Sequence, residues 1–276
     1  MIGLGTMGAG IAEVCARSGY RTVAREMTSE LAERGQAAVE KSLVRGVERG
    51  KIATAAAEEA LDLLSVTTEL EALAECDVVI EAATEKIELK RELFSTLDGL
   101  LSSSAILATN TSALSVTAIA AATKTPERVV GTHFFNPAQV LELVEVVRTD
   151  SGSEDTVTAT VAFVESLGKR PILCKDTPGF VVNRILIPVL NDAVNVYDAG
   201  TASAEDVDVA MKLGTSWPLG PLELIDLIGI DVHVYVSEAL WDAYREPKYV
   251  PPPRLVRMME AGHLGRKTAR GFFEYA

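Results

Sequence analysis

Met1-Ile2-Gly3-Leu4-Gly5-Thr6-Met7-Gly8 decides the fold. A short apolar pair runs straight into Gly-x-Gly-x-x-Gly, and a helical pattern follows through Ile11, Val14 and Cys15 to Ser18-Gly19. In a strand–turn–helix unit Gly3 allows the tight turn and Gly5 lets a pyrophosphate approach the backbone. Gly8 allows close helix–strand packing. The phosphates then face a helix N-terminus, where unpaired N–H groups favour an anion. The motif alone is weak, so its context must decide. Tyr20-Arg21-Thr22-Val23-Ala24-Arg25-Glu26 reads as a short strand ending in an acid eighteen positions past Gly8. A dinucleotide-binding fold places the carboxylate for the ribose hydroxyls at about that distance. Glu26 would repel a 2′-phosphate, which favours NAD over NADP, and Arg25 beside it softens that preference. The plain alternative is an ordinary helix end followed by an exposed glutamate. Two residues precede Gly3, where a first strand normally has about five, so this strand, or the chain itself, reads as trimmed.

Composition sets the outer limits. The chain has 276 residues, 48% of them hydrophobic, enough for one large or two modest domains with sizeable cores. A net charge of −13 argues against a nucleic-acid binder, which carries a basic footprint. An anionic small molecule stays possible, because local basic clusters can sit on an acidic body. Cys15, Cys76 and Cys174 lie far apart with no metal or disulfide spacing, and read as reduced, mostly buried small residues. No metal site is expected. No apolar run approaches the roughly 18 residues of a membrane span and no signal peptide is visible, so a soluble cytoplasmic protein is expected.

Further along, residues 28–51 form a long amphipathic pattern with Ser42, Arg45, Arg49 and Lys51 on its second half; spacing alone makes these a solvated face. Residues 54–64 read as another helix. Cys76-Asp-Val-Val-Ile-Glu81-Ala-Ala reads as a buried parallel strand entering a loop. The helix predicted over 85–97 then brings Lys90 near the strand ends. Residues 105–112 make a strand that spills Asn110, Thr111 and Ser112 at its carboxyl end, where open α/β sheets bind ligands. Residues 132–147 read as two short strands joined by a turn at Asn136-Pro137. That pairing could set His133 beside Glu145, and a carboxylate on one imidazole nitrogen raises the basicity of the other, as a general base requires. A buried, merely satisfied histidine is the bland alternative. A helix over 153–167 and a strand over 170–174 follow. From residue 177 the periodicity is helical, over 180–199, 203–213, 222–244 and 253–261. The predicted organisation is therefore an α/β dinucleotide-binding domain, 1–175, and a smaller all-α domain, 176–276. Asn183 falls in the first turns of the leading helix. The tail carries Gly265-Arg-Lys267-Thr-Ala-Arg, suited to an anion or to a solvated basic turn. His233 reads as a helix-face residue and His263 as a turn residue, neither catalytic.

Taken together, these stretches resemble the 3-hydroxyacyl-CoA dehydrogenases, above all their short bacterial 3-hydroxybutyryl-CoA members. The resemblance rests on Gly-Leu-Gly-Thr-Met-Gly (3–8), Val-Ile-Glu-Ala-Ala-Thr-Glu (79–85), Thr-Asn-Thr-Ser (109–112) and His-Phe-Phe-Asn-Pro (133–137). Leu-Val-Glu-Val-Val (143–147), Asp-Thr-Pro-Gly-Phe-Val-Val-Asn-Arg (176–184), Ala-Met-Lys-Leu-Gly (210–214), Pro-Leu-Gly-Pro-Leu-Glu-Leu-Ile-Asp-Leu-Ile-Gly (218–229) and Gly-Arg-Lys-Thr-Ala-Arg-Gly-Phe-Phe (265–273) complete it, in order along the chain. It implies a Rossmann-type domain and an NAD-dependent oxidation with His133 as base and Glu145 orienting it. Ser112 and Asn183 would hydrogen-bond the substrate. Gly3, Gly5, Gly8, Glu26, Ala82, Glu85, Lys90, Asn136 and Lys267 would contact or position the cofactor. Ser42 and Arg49 would meet the CoA portion, which revises the solvated-face reading of that helix. The family normally has Asp where Glu26 stands and Lys where Arg49 stands. The resemblance also implies an acyl-CoA partner and a homodimer formed through the helical domain. Two other classes remain: a related NAD-dependent 3-hydroxyacid or sugar-acid dehydrogenase that does not use CoA, and a dinucleotide-binding relative without activity.

Overall fold

A computed structural model describes residues 1–275. The chain divides into two compact units, Met1–Thr177 and a second from Pro178 onward. The first unit therefore ends past the expected boundary at Lys175, for a visible reason. The Asp176 carboxylate accepts from Ser115 Oγ at 2.9 Å and from Thr117 N at 2.7 Å, which ties that residue into the α/β unit.

The α/β unit runs α1 (Thr6–Arg17), β1 (Thr22–Arg25), α2 (Ser29–Glu48), α3 (Thr54–Asp62), β2 (Leu64–Thr67), β3 (Val78–Glu81) and α4 (Ile87–Leu100). It continues with β4 (Ile106–Thr109), α5 (Val116–Ala120), β5 (Val129–Phe134), β6 (Leu143–Arg148), α6 (Glu154–Ser166) and β7 (Arg170–Lys175). The strands β3-β4-β5-β6-β7 form one ordered set and β1-β2 another. Between the two sets stands Ile2, bridged in parallel to Arg25 on one side and Glu81 on the other. Its N–H donates to Ile80 O at 2.9 Å and its carbonyl accepts from Ala82 N at 2.8 Å. Met1-Ile2 is thus the short first strand expected from the sequence, reduced to a single bridged residue. The apolar runs Val78-Val79-Ile80, Ile106-Leu107-Ala108 and Val129-Val130 read as strands because a parallel sheet is covered on both faces, and Leu107, Ala108 and Val130 are wholly buried. Each fully buried Val or Leu contributes about 1.5–3 kcal/mol.

β5 and β6 are antiparallel, with His133 directly opposite Glu145. β4 runs parallel to β3 and to β5. Glu81, Thr109 and His133 therefore come out along one edge of the sheet, together with the loop that follows Ile2. β2 and α5, too short to show a period, have no counterpart in the sequence reading.

The second unit holds α7 (Val182–Asp198), α8 (Ala204–Thr215), α9 (Pro221–Ile228), α10 (Ile230–Tyr244) and α11 (Pro253–Glu260). The single helix predicted over 222–244 is broken at Gly229. Its φ of 104° lies where side chains are strained, and an added Cβ would sit 3.0 Å from an Asp231 carboxylate oxygen. Leu190, Val194, Leu222, Ile225, Ile230 and Val234 form its apolar core.

Candidate active site

The glycine loop is built to admit an anion. Gly3 has φ +82° and its backbone passes so near Ala82 O that a Cβ would lie 2.9 Å away. A Cβ on Gly8 would lie 1.7 Å from Gly3 O, so α1 packs hard against the turn. Beyond the Cβ position of Gly5, by contrast, there is no atom within 4 Å. No side chain caps α1 and no acid sits in its first turn, so its leading N–H groups and positive dipole end face open space. Glu26 closes the loop from below: its Oε1 accepts from Leu4 N at 2.5 Å and its Oε2 from Met27 N at 3.1 Å. Gly3, Gly5, Glu26, Ala82 and Lys90 line one cavity of about 500 Å³. These residues fit a dinucleotide: open backbone for the phosphates and a fixed carboxylate for ribose hydroxyls.

A second cavity, of about 670 Å³, opens beside α2. Ser42, Arg49 and Asn136 line it together, so Asn136 faces the region expected for CoA as well as the start of α1. The same wall carries Arg17, Lys41, Arg45 and Lys51, a concentration of cations on an acidic protein that suits phosphate groups. At its floor Gln139 Nε2 donates to Glu13 Oε2 at 3.0 Å and to Ser42 Oγ at 3.2 Å. Arg17, Lys41, Glu13 and Gln139 escaped the sequence reading. Lys41 and Arg45 are one turn apart, a signal that was there, whereas Gln139 approaches only through the fold.

At the sheet edge His133 Nδ1 meets Glu145 Oε2 at 2.7 Å. His133 is 5% exposed and Glu145 0%, and the neighbouring Val144, Val146 and Val147 of β6 are wholly buried. Directly opposite residues in an antiparallel pair bring their side chains to one face, and that register alone makes the contact. Two neighbours hold the imidazole. Asn110 Oδ1 accepts from Phe134 N at 2.9 Å, fixing the end of β5. The Phe135 ring lies 4.5 Å from the His133 ring. The nearby Cys174 thiol is pushed up to about 12, by burial first and then by the charge of Glu145, so it is a protonated thiol and no nucleophile.

Ser112 follows β4, and its N–H donates to Glu85 Oε1 at 2.9 Å. Thr111 Oγ1 donates to the same oxygen at 2.5 Å. Lys90, expected at the cofactor, does line the first cavity, yet it is 1% exposed and its ammonium is engaged by Glu81 at 2.6 Å and Glu85 at 3.3 Å. Asn183 and Lys267 belong to the helical unit. Asn183 stands in the first turn of α7. Lys267 Nζ is held by both oxygens of Asp231, at 2.5 and 2.6 Å. Among the described residues no cluster of His, Cys, Asp or Glu could hold a metal ion, and no helix is long and apolar enough to cross a membrane.

A dinucleotide cradle and a carboxylate-paired imidazole on one sheet edge define the class: an α/β oxidoreductase that works with a nicotinamide. Comparison with known proteins narrows it. The model of the 3-hydroxyacyl-CoA dehydrogenase NAD-binding domain matches residues 1–177, and that of the C-terminal domain of the same family matches 179–275. A 3-hydroxybutyryl-CoA dehydrogenase of Mycobacterium tuberculosis is 44% identical over 277 residues, spanning all of this chain and 97% of the relative. The mitochondrial hydroxyacyl-coenzyme A dehydrogenase of Rattus norvegicus is 40% identical over 282 residues, spanning all of this chain and 90% of the relative. The crystal structure of (S)-3-hydroxybutyryl-CoA dehydrogenase from Ralstonia eutropha matches with a TM-score of 0.93 and 42% identity, over all of this chain and 97% of that one. The chain belongs to the 3-hydroxyacyl-CoA dehydrogenase family, whose members are NAD-dependent oxidoreductases.

Proposed function

We propose that the protein oxidises short (S)-3-hydroxyacyl-CoA thioesters, 3-hydroxybutyryl-CoA first among them, to the 3-ketoacyl-CoA, and runs the reverse reduction. The observation that carries this reading is the buried His133–Glu145 pair at 2.7 Å on the sheet edge beside the dinucleotide cradle. The substrate's C3–OH gives its proton to His133 Nε2 while the C3–H bond breaks and its electron pair leaves as hydride. A C3 carbonyl results. NAD, when bound, supplies the hydride acceptor. Glu145 holds the Nδ1–H, sets the tautomer and offsets the charge of the imidazolium as it forms. Ser112 and Asn183 orient the C3 oxygen, where misplacement by about 1 Å costs about 100-fold.

Gly3, Gly5, Gly8, Glu26, Ala82, Glu85, Lys90, Asn136 and Lys267 hold or position the cofactor. Ser42 and Arg49 receive the CoA phosphates. Arg17, Lys41, Arg45 and Lys51 on the same wall support a CoA ester over a free hydroxy acid, which has no phosphates to match them. The helical unit supplies Asn183 and makes a homodimer, and the enzyme acts in the cytoplasm.

The test is nicotinamide absorbance during turnover of (S)-3-hydroxybutyryl-CoA with NAD, with NADP and the free acid alongside. Turnover of the CoA ester with NAD is expected. Activity only on the free acid overturns the substrate class. Arg49→Glu should raise KM for the CoA ester without moving kcat; an unchanged KM makes that helix face structural.

A further inference from the structure

Glu81 ends the apolar strand Val78-Val79-Ile80 and is 0% exposed. A buried carboxylate costs several kcal/mol unless it is paired and its lone pairs are satisfied. Here both conditions hold. Oε1 accepts from Ala83 N at 2.6 Å and from Lys90 Nζ at 2.6 Å, and Oε2 accepts from Thr109 Oγ1 at 2.7 Å. The partner ammonium, on α4, is itself 1% exposed and reaches across to Glu85 Oε2 at 3.3 Å. Glu85 then accepts from Thr111 Oγ1 and from the N–H of Ser112 through its other oxygen.

The burial of the links runs in one direction. Glu81 and Lys90 are sealed in, whereas the Glu85 side chain is 43% exposed and sits on a loop. Packing does not hold Glu85; its hydrogen bonds and the Lys90 charge do. Two carboxylates share a single ammonium, so the position of Lys90 is a balance between them. Glu81 fixes one side of that balance through three contacts and thereby sets how far Lys90 can pull Glu85 from the Ser112 backbone.

We propose that Glu81 is a positioning residue for the reaction, acting through Lys90 and Glu85 to hold Ser112 in place. The assignment rests on the dehydrogenase reading of this site. Without the Glu81 charge, Lys90 moves toward Glu85, the other carboxylate it contacts among the described residues, and Glu85 leaves the Thr111–Ser112 turn. Ser112 then no longer presents its hydroxyl at the reacting carbon. Glu81 itself touches neither substrate nor reacting atoms.

The test is a double-mutant cycle read in kcat for (S)-3-hydroxybutyryl-CoA oxidation at saturating NAD. Glu81→Gln keeps the shape and removes the charge; kcat should fall about 10- to 100-fold, the scale of a misplaced orienting group. In the Ser112→Ala background the same change should cost little more, because the group it acts through is already gone. A merely structural Glu81 would lower Tm, and its effect would add in full to that of Ser112→Ala. Additivity, or an unchanged kcat, overturns the proposal. Should Glu81→Gln fail to fold, Glu85→Gln cuts the same relay at an exposed side chain. Non-additivity with Ser112→Ala is again expected, and additivity again overturns. A wild-type protein that leaves the CoA ester untouched brings down the dehydrogenase reading and this proposal with it. An active wild type with an additive cycle brings down the proposal alone.

Discussion

His133 and His233 are both buried, one in each unit, and their partners make them chemically different. His133 faces the Glu145 carboxylate at 2.7 Å. His233, 0% exposed on α10, faces the Asn191 amide oxygen through Nε2 at 2.8 Å. Asn191 spends its own N–H groups on the carbonyls of Lys248 and Val250, so its oxygen is turned to the ring and His233 must be the donor. His233 Nδ1 is buried with no hydrogen-bond partner among the described residues. An amide cannot offset an imidazolium charge, and burial pushes His233 down to about 4. Burial alone therefore gives a neutral, inert imidazole. A base that must hold a proton during turnover also needs an anion on its other nitrogen.

The largest expected effect tests that distinction directly. His133→Gln should lower kcat about 1,000-fold, within the usual reach of general-base assistance, while His233→Gln should lower Tm and leave kcat alone. Equal losses of kcat in both variants, compared by nicotinamide absorbance on folded enzyme, would erase the difference between the two sites. Glu145→Gln comes next. It turns the partner of His133 into an amide like that of His233 and should cut kcat about 100-fold, with NAD affinity near normal. If NAD binding collapses instead, Glu145 serves the fold rather than the imidazole.

That pairing was legible in the sequence because it is local. Two strand-like runs flank Asn136-Pro137, and an antiparallel register does the rest. The glycine loop and Glu26 were legible for the same reason, since spacing along one strand–helix–strand unit sets their positions. The relay through Glu81 was not. Its members stand at the ends of β3 and β4 and on α4, and only the parallel order of the strands brings Thr109 and Thr111 to Glu81 and Glu85. Lys90 shows how far sequence reasoning reaches: it was placed near the strand ends, but its burial between two carboxylates had no signal in spacing. The break at Gly229 escaped because apolar periodicity runs through residues 222–244, while the deciding feature is one backbone angle.

A smaller effect appears in stability. An unfolded chain binds a proton at His233 below about 6.5, the folded protein only below about 4. Between those values the unfolded state holds more protons, so stability is intact above the window and falls as the pH drops through it. Going from pH 7 to pH 5, this one group should remove about 2 kcal/mol. Urea unfolding of the wild type and of His233→Gln at both pH values measures it; Asp208 and Asp226, whose carboxyls burial raises, are common to both proteins and cancel in the difference. Equal slopes would mean that His233 is not held neutral by its surroundings.

The finest test gives His233 the partner that His133 has. Asn191→Asp places a carboxylate on Nε2, so the proton of His233 should be held to higher pH. The acid loss should shrink by about 1.4 kcal/mol for each unit recovered. The change also removes the donors to the Lys248 and Val250 carbonyls, at about 1 kcal/mol each, so the variant is expected to be less stable at neutral pH and flatter in acid. NMR titration of the His233 ring reads the proton directly. An upward movement would mean that the partner's charge separates the two histidines. A ring that still titrates near 4 would mean that desolvation outweighs any anion supplied to it.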